Sequence, residues 1–289
     1  MLQRKPGYTV TEGVTMKEKW IFLDIDGTLT RPGSNVPPES ALKAIRAAQA
    51  KGHKVLLCTG RNMALLSPLL HYGFDGVVAS AGGYILYGGQ VIYDCPMSRQ
   101  QLELAIETFH AGGVFCTIEA KDATYGDAAL EDFLSQSPGE NSEIQRWRAA
   151  LADRLGILPM EDYDGRPIYK VVFICREDSQ LEKARAALEK EFLFCCQTMS
   201  SPARINGELI NRKFDKGQGI RRLCRHLGVD LQDTFGFGDS MNDLEMMQTV
   251  GVAVAMANGN EQIKALADYI CPPVEEDGLA KAFARYQLA

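Results

Sequence analysis

No stretch of this 289-residue chain approaches the roughly 20 consecutive apolar residues that a membrane span needs. The N-terminus, Met1 to Met16, is polar and lacks the apolar stretch of a secretory signal, so the expected location is cytoplasmic, with no membrane partner. Basic clustering is missing too. Lys and Arg number 31 against 37 Asp and Glu, a formal net charge of −6, which argues against a nucleic-acid partner. Arg221, Arg222 and Arg225 fall on an expected helix and read as its solvated face. No C-x-x-C pair and no Cys/His spacing typical of a metal site occurs. Among the eight cysteines, Cys58, Cys175 and Cys271 end or follow apolar runs, so they read as buried free thiols rather than bridges. Nor does a G-x-G-x-x-G follow the first apolar strand, which removes a dinucleotide site.

What is present is an ordinary globular composition, 46% hydrophobic, in a chain long enough for about two domains. Short apolar segments alternate with helical patterns, the mark of an α/β fold with a parallel sheet. The expected strands are Trp20 to Leu23, Val55 to Cys58, Val77 to Ala79, Thr234 to Gly238 and Val252 to Ala255. Between the first two, Glu39 to Lys51 places Ala41, Leu42, Ile45 and Ala48 on one helical face, with Pro37 and Pro38 before it and Gly52 after. Tyr84 to Tyr87, Gly88-Gly89 and Val91 to Tyr93 read as a hairpin. The parallel rhythm then stops until Lys216. Within the interruption, helices are expected at Arg99 to His110 and Gln180 to Glu191, strands at Val114 to Ile118 and Tyr169 to Ile174, and a polar loop at Glu131 to Glu140. The predicted division is a tail at 1–16, a Rossmann-like three-layer α/β core at 17–95 and 212–289, and an inserted α+β domain at 96–211.

Four segments carry the chemistry. Phe22 to Thr30 delivers two carboxylates, Asp24 and Asp26, at the carboxyl end of a strand and follows them with Gly27-Thr28. Ligands bind at that edge of an open α/β sheet, and two carboxylates two residues apart suit a nucleophile and a proton carrier; capping of the next helix is the plainer alternative. Cys58-Thr59-Gly60-Arg61 ends another strand with a hydroxyl and free N–H groups, fit for a phosphoryl oxygen or for a simple N-cap. Gly238 to Asp243 ends a third strand with Asp239, Asn242 and Asp243, oxygen donors that suit Mg²⁺ or, again, a cap. Lys216, at a helix start after Phe214-Asp215, can neutralise phosphate charge, although a lone lysine is by default on the surface.

Together, and in this order, the four segments resemble the haloacid dehalogenase superfamily, and the α+β insertion between the second and third resembles its Cof-type subgroup, class IIB, with a type-two cap. Val254 to Asn260 and Glu276 to Ala280 resemble that subgroup's C-terminal segments. The resemblance implies Asp24 as a nucleophile forming an aspartyl-phosphate and Asp26 as general acid and base. It implies Mg²⁺ held by Asp24, the backbone carbonyl of Asp26 and Asp239, with Asp243 and Asn242 supporting the metal's waters and the phosphate. Thr59 and Lys216 are expected to hold the phosphoryl oxygens, with Thr28, Gly60 and Arg61 in the substrate-binding set. Two departures stand out: Ala81-Gly82-Gly83 where relatives have Asn-Gly-Ala, and Ala257-Asn258-Gly259 where they have Gly-Asn-Ala.

The expected function is hydrolysis of a small phosphorylated metabolite, most naturally a sugar phosphate, by a monomer or weak homo-oligomer. A phosphomutase or other phosphotransferase using the same aspartate, and a non-catalytic binder of phosphate esters, are the alternatives. In the insertion, Glu119, Asp122, Tyr125, Arg166 and Tyr169 are the polar candidates for substrate selection, with solvated surface as the default for each. Trp147 and Arg148, on an expected helix, read as packing and solvation.

Overall fold

The computed structural model describes residues 17–128, 157–200 and 203–289. The expected tail, the polar loop at Glu131 to Glu140 and the helix bearing Trp147 and Arg148 lie outside them.

Two sheets organise the described residues. The larger has eight strands in the order β14-β13-β12-β1-β2-β3-β4-β5. Its first half runs β1 (Trp20–Leu23), α1 (Glu39–Ala50), β2 (Lys54–Cys58), α2 (Met63–Leu70), β3 (Gly76–Ala79), β4 (Tyr84–Tyr87) and β5 (Gln90–Asp94). Strands β1, β2 and β3 are parallel, and β4 and β5 close the edge as the expected antiparallel hairpin. Its turn residues Gly88 and Gly89 both have positive φ, 55° and 79°, as a two-residue hairpin turn requires.

The chain then builds α3 (Arg99–Ala111), β6 (Phe115–Ala120), β7 (Thr124–Gly126), β8 (Ile157–Pro159), β9 (Ile168–Cys175), α4 (Glu182–Leu188), β10 (Phe192–Ser200) and β11 (Ala203–Asn211). These strands form a mostly antiparallel six-stranded sheet, β10-β11-β9-β6-β7-β8. Thereafter α5 (Lys216–Leu227), β12 (Thr234–Gly238), α6 (Leu244–Thr249), β13 (Val252–Met256), α7 (Glu261–Leu266), β14 (Tyr269–Cys271) and α8 (Gly278–Arg285) return to the large sheet. No helix among the described residues is long and apolar enough to cross a membrane.

Period-two alternation puts both faces of the large sheet in apolar cores. Ile21, Leu23, Val55, Leu57, Phe235 and Phe237 pack with Ala41, Ile45 and Ala48 of α1 and Phe283 of α8. Phe22, Leu56, Cys58 and Val78 pack on the other face with Ile220 and Leu223 of α5 and Met246 of α6. Helices therefore cover both faces in three layers, and all eight cysteines are unbridged.

The second sheet divides its faces differently. Cys116, Ile118, Phe173 and Leu209 pack against Phe109 of α3 and Leu188 of α4. The intervening positions carry Thr117, Glu119, Lys170, Asn206 and Glu208, which are buried although polar. Burial of such a row demands partners, and these lie partly at the strand ends of the large sheet, where Lys170 Nζ donates to the Gly60 carbonyl at 3.0 Å.

Candidate active site

β1 lies between β2 and β12; the chain leaving β1 crosses to β2, whereas the chain leaving β12 crosses to β13 on the opposite side. The crevice between the carboxyl ends of β1 and β12 is thus the topological switch point of the sheet, the usual seat of a ligand in this architecture. Asp24 follows β1 and Asp239 follows β12. The register pairs Leu23 with Phe237, and the Asp24 N–H donates to the Phe237 carbonyl at 3.0 Å, so the two loops leave the sheet side by side.

Lys216 joins them. As the first residue of α5, which Asp215 caps by accepting from Gln218 N at 2.7 Å, it projects its ammonium into the crevice. There Nζ donates to Asp24 Oδ1 and Asp243 Oδ1, both at 2.6 Å, and to Asn242 Oδ1 at 3.0 Å. The residue is 1% exposed. Burial works against its charged form, but Asp24 and Asp243 more than offset that and hold its pKa above the ordinary value. The surface position that a lone lysine has by default is therefore not where Lys216 sits.

Asp243 is fully buried, and its second oxygen accepts from the N–H groups of Asp239 at 3.0 Å and Ser240 at 3.1 Å, closing the loop after β12 on itself. Gly238 leaves room for this closure: a Cβ there would lie 2.6 Å from Asp243 Cγ. Thr28 Oγ1 donates to Asp239 Oδ1 at 3.2 Å. Asn258 Nδ2 donates to the Gly27 carbonyl at 3.0 Å and reaches Asp239 Oδ2 at 3.4 Å. The asparagine of the altered Ala257-Asn258-Gly259 segment thus ties the loop after β1 to the one after β12.

Ligand oxygens of Asp24, Asp239 and Asp243 lie within 4.8 Å of one another. Three carboxylates thus face one ammonium, and two of them, Asp24 and Asp239, are held toward the neutral form. Burial, with Asp243 adding to it, pushes the Asp24 carboxyl up to about 7. Burial, Asp24 and Asp243 push Asp239 well above its ordinary value. An all-oxygen donor set with more carboxylates than cations fits a hard divalent cation such as Mg²⁺.

Asp26 has a different environment. Arg61 grips it with two bonds, Nη2 to Oδ1 at 2.6 Å and Nε to Oδ2 at 2.8 Å, and Gly33 N–H adds a third at 3.1 Å. The guanidinium is itself anchored by Asn35 Oδ1 at 2.6 Å. Arg61 is buried on this pair. Thr59, at the end of β2, is 2% exposed and accepts from Arg61 N at 3.1 Å. A Cβ on Gly60 would lie 3.7 Å from Glu208 Oε1, 3.8 Å from Lys170 Nζ and 3.9 Å from Asn242 Nδ2, so the second sheet covers this loop closely. Ala81 adopts left-handed φ/ψ of 55° and 30°, a conformation that asparagine tolerates better than alanine.

Sequence reasoning missed the buried charge cluster above Gly60. Lys170 Nζ lies 2.5 Å from Glu208 Oε1 and 3.3 Å from Glu119 Oε2, with Lys170 and Glu119 each 1% exposed. The three residues come from neighbouring strands β6, β9 and β11, and only the alternation of polar residues along them signals a shared face. The solvated default is corrected for Glu119, Tyr125 and Tyr169, which are all buried. Tyr169 donates to Asp94 Oδ1 at 2.6 Å, linking the second sheet to β5. Asp122 and Arg166 instead pair with each other at 3.0 Å on the exterior.

A cavity of about 530 Å³ opens between the β10–β11 hairpin and the crevice. Phe194, Asn206, Glu208 and Asn211 line its upper side, and Lys216, Asn242 and Glu245 its lower side.

Comparison with known proteins agrees with this geometry. Residues 21–283 match the family model of haloacid dehalogenase-like hydrolases. Phosphatase YwpJ of Bacillus subtilis strain 168 is 30% identical over 288 residues, spanning 91% of this chain and 97% of that protein. Phosphoglycolate phosphatase of Methanosarcina acetivorans is 34% identical over 272 residues, spanning 92% and 96%. The solved structure of a sugar phosphatase of HAD subclass IIB superposes with a TM-score of 0.73 at 26% identity, covering 94% of this chain and all of that one. The chain is an enzyme of the haloacid dehalogenase-like hydrolase family, in its Cof-type subgroup.

Proposed function

We propose that this protein is a Mg²⁺-dependent phosphatase that hydrolyses small phosphorylated metabolites, sugar phosphates and related polyol esters, through a phospho-aspartate on Asp24. The observation that carries the reading is the constellation at the switch point: Asp24 beside Asp239 and Asp243, with Lys216 between Asp24 and Asp243. Names of the relatives add weight, since several are phosphatases.

In the first step Asp24 attacks phosphorus, the ester P–O bond breaks, and Asp26, released from Arg61 and protonated from solvent, gives that proton to the departing alcohol oxygen. In the second, a water oxygen attacks the phosphorus of the phospho-aspartate while Asp26 takes the water's proton. The acyl-phosphate P–O bond breaks, Asp24 is regenerated and inorganic phosphate leaves. Lys216, the Thr59 hydroxyl, Asn242 and the Gly60 N–H hold phosphoryl oxygens, while the Thr59 N–H is taken by the Val78 carbonyl, and Thr28 orients Asp239. Arg61 is a positioning residue: both oxygens of Asp26 are bonded to it, so proton transfer requires that pair to open. Asp24, Asp239 and the Asp26 carbonyl would hold Mg²⁺, with Asp243 and Asn242 supporting its waters, and the ion would supply the positive charge that lets a carboxylate meet a phosphate dianion.

The described part of 96–211 acts in this reading as the cap over a core of 17–95 and 212–289. The cavity supports a small substrate, because about 530 Å³ holds a sugar-sized leaving group but not a folded phosphoprotein. Asn206, Glu208 and Asn211 offer hydrogen bonds suited to hydroxyl groups. The test is phosphate release from a panel of sugar phosphates and an aryl phosphate, with Mg²⁺ or chelator, for wild type and Asp24→Asn. Chelator-sensitive release that Asp24→Asn abolishes while remaining folded is expected. Near wild-type turnover in that variant overturns the nucleophile assignment, and no release from any ester overturns hydrolysis.

A further inference from the structure

Well away from the Asp24 crevice, on the second sheet, three different ligand types meet at one point. His110 is next to last in α3, Cys116 is the second residue of β6, and Asp127 directly follows β7. Pairing of Thr117 with Gly126 brings Asp127 beside Cys116, whose N–H donates to Asp127 Oδ2 at 2.7 Å. His110 Nε2 lies 3.0 Å from Asp127 Oδ1 and 3.8 Å from Cys116 Sγ. The three ligand atoms all fall within 4.8 Å of one another.

Two readings of a Cys, a His and an Asp at contact distance compete. A nucleophile relay needs the cysteine on one imidazole nitrogen and the carboxylate on the other. Here both converge on the same nitrogen, Nε2, so a relay is excluded, while three unlike ligand atoms facing one point suit a central ion. Bonds of about 2.0 to 2.3 Å in a tetrahedron separate neighbouring N, O and S ligand atoms by roughly 3.3 to 3.6 Å. The separations of 3.0 and 3.8 Å bracket that range without any backbone change.

We propose that His110, Cys116 and Asp127 form a three-ligand site for a thiophilic divalent metal of the Zn²⁺ class, separate from the all-oxygen Asp24 cluster. The Cys116 N–H bond fixes the Asp127 carboxylate, the kind of outer support that metal ligands require. His110 is 44% exposed on its side chain, so the fourth position opens to solvent. Binding replaces the proton of the Cys116 thiol, which passes to solvent. Spacing gave no hint of this set, because strand pairing and not sequence proximity assembles it.

Cobalt supplies the test, since a thiolate ligand gives Co²⁺ a sulfur-to-metal charge-transfer absorption that carboxylates cannot. Chelator-stripped full-length protein titrated with Co²⁺ is expected to develop this band at one equivalent and to lose it on adding Zn²⁺. Cys116→Ala and His110→Ala are expected to abolish it, and Asp239→Asn, altered only in the other cluster, to retain it. His110→Ala removes an exposed side chain, so its fold is secure; its zinc affinity, by competition with a chelating dye, is expected to fall more than about tenfold. Absence of the band in wild type, or its persistence in either the Cys116 or the His110 variant, overturns the proposal.

Discussion

Lys216→Met removes a buried charge while keeping the side chain's length and most of its volume. In wild type the ammonium makes three bonds, to Asp24 and Asp243 at 2.6 Å and to Asn242 at 3.0 Å, with essentially no access to water. Methionine leaves two buried carboxylates without their cation, and losing one partner of a buried pair costs about 3–5 kcal/mol. At roughly 2–4 °C per kcal/mol for a chain of somewhat smaller size, the melting temperature of chelator-treated protein should fall by about 6–20 °C. The loss has a predicted pH dependence. Asp24 already titrates at about 7, and without Lys216 it binds its proton more tightly still. A raised carboxyl pKa adds stability at low pH that is lost as pH rises through the folded-state value, so the variant's deficit should be smaller at pH 5.5 than at pH 8. Turnover should fall by about 10²- to 10³-fold, the effect of removing one preorganised donor to a developing anion. Calorimetry at the two pH values and steady-state phosphate release read both effects. A variant with wild-type melting temperature and turnover within threefold would refute the reasoning, because it would mean that the Lys216 contacts neither balance the carboxylates nor act on the phosphate.

Two further perturbations test the surroundings. Gly27 has a φ of +88°, and a Cβ there would lie 2.4 Å from Asp239 Oδ2. Gly27→Ala should therefore displace Asp239, lowering stability by about 1–2 kcal/mol from the left-handed backbone alone and raising the Mg²⁺ concentration for half-maximal activity by about tenfold or more; an unchanged Mg²⁺ dependence would count against Asp239 as a ligand. His53 is buried and its Nδ1 accepts the Lys19 N–H at 3.1 Å, which requires a neutral ring. Burial, helped by Lys51 and Lys19, lowers its pKa from 6.5, so its contribution is complete above that value and is lost as pH falls through the folded-state value. Denaturation midpoints between pH 7.5 and 5 should show this decline, and His53→Asn, which keeps an acceptor but does not titrate, should flatten it; an identical slope in the variant assigns the decline to other groups.

Where local pattern and burial coincide, the sequence was readable. Glu39 to Ala50 forms its helix and buries Ala41, Ala44, Ile45 and Ala48 because the apolar spacing leaves no other face. The hairpin turn at Gly88-Gly89 follows from positive φ at both positions. Placement of Asp24, Asp239 and Lys216 was legible for a similar reason: each sits at a break where an apolar strand stops or a helix starts, and the parallel topology brings those breaks to one edge. The second sheet was harder. Strands β10 and β11 have no clean alternation, with Cys195-Cys196 in one and Asn206-Gly207-Glu208 in the other, and their pairing is set by each other and by β9. Gln180 to Glu191, read as one helix, is helical in the α form only over Glu182–Leu188, after a 3₁₀ turn at Asp178–Leu181. Glu119 read as solvated charge, and Lys170 and Glu208 went unnoticed, because burial of the sheet's second face is a tertiary property; no window of sequence contains it.

The two aspartates of the first motif illustrate what only the fold supplies. Separated by one residue, Asp24 and Asp26 receive opposite treatment. Asp24 is buried, shares one ammonium with Asp243 and is driven toward its neutral form. Asp26 keeps 19% of its side chain exposed and has a guanidinium bonded to both its oxygens. Environments that differ this sharply are how neighbouring carboxyl groups acquire different roles. The Arg61 end of the pair is fixed, by Asn35 at 2.6 Å and by burial, whereas Asp26 sits on the more accessible side. If the pair opens, the carboxylate is therefore the member that moves, and Arg61 stays to receive it again. In the proposed reaction a phosphoryl group arriving beside Asp24 would meet one carboxylate that shares its cation with Asp243 and another whose charge is balanced by Arg61. Under that reading, the asymmetry would let an acidic chain hold an anion without Asp24 and Asp26 repelling it equally.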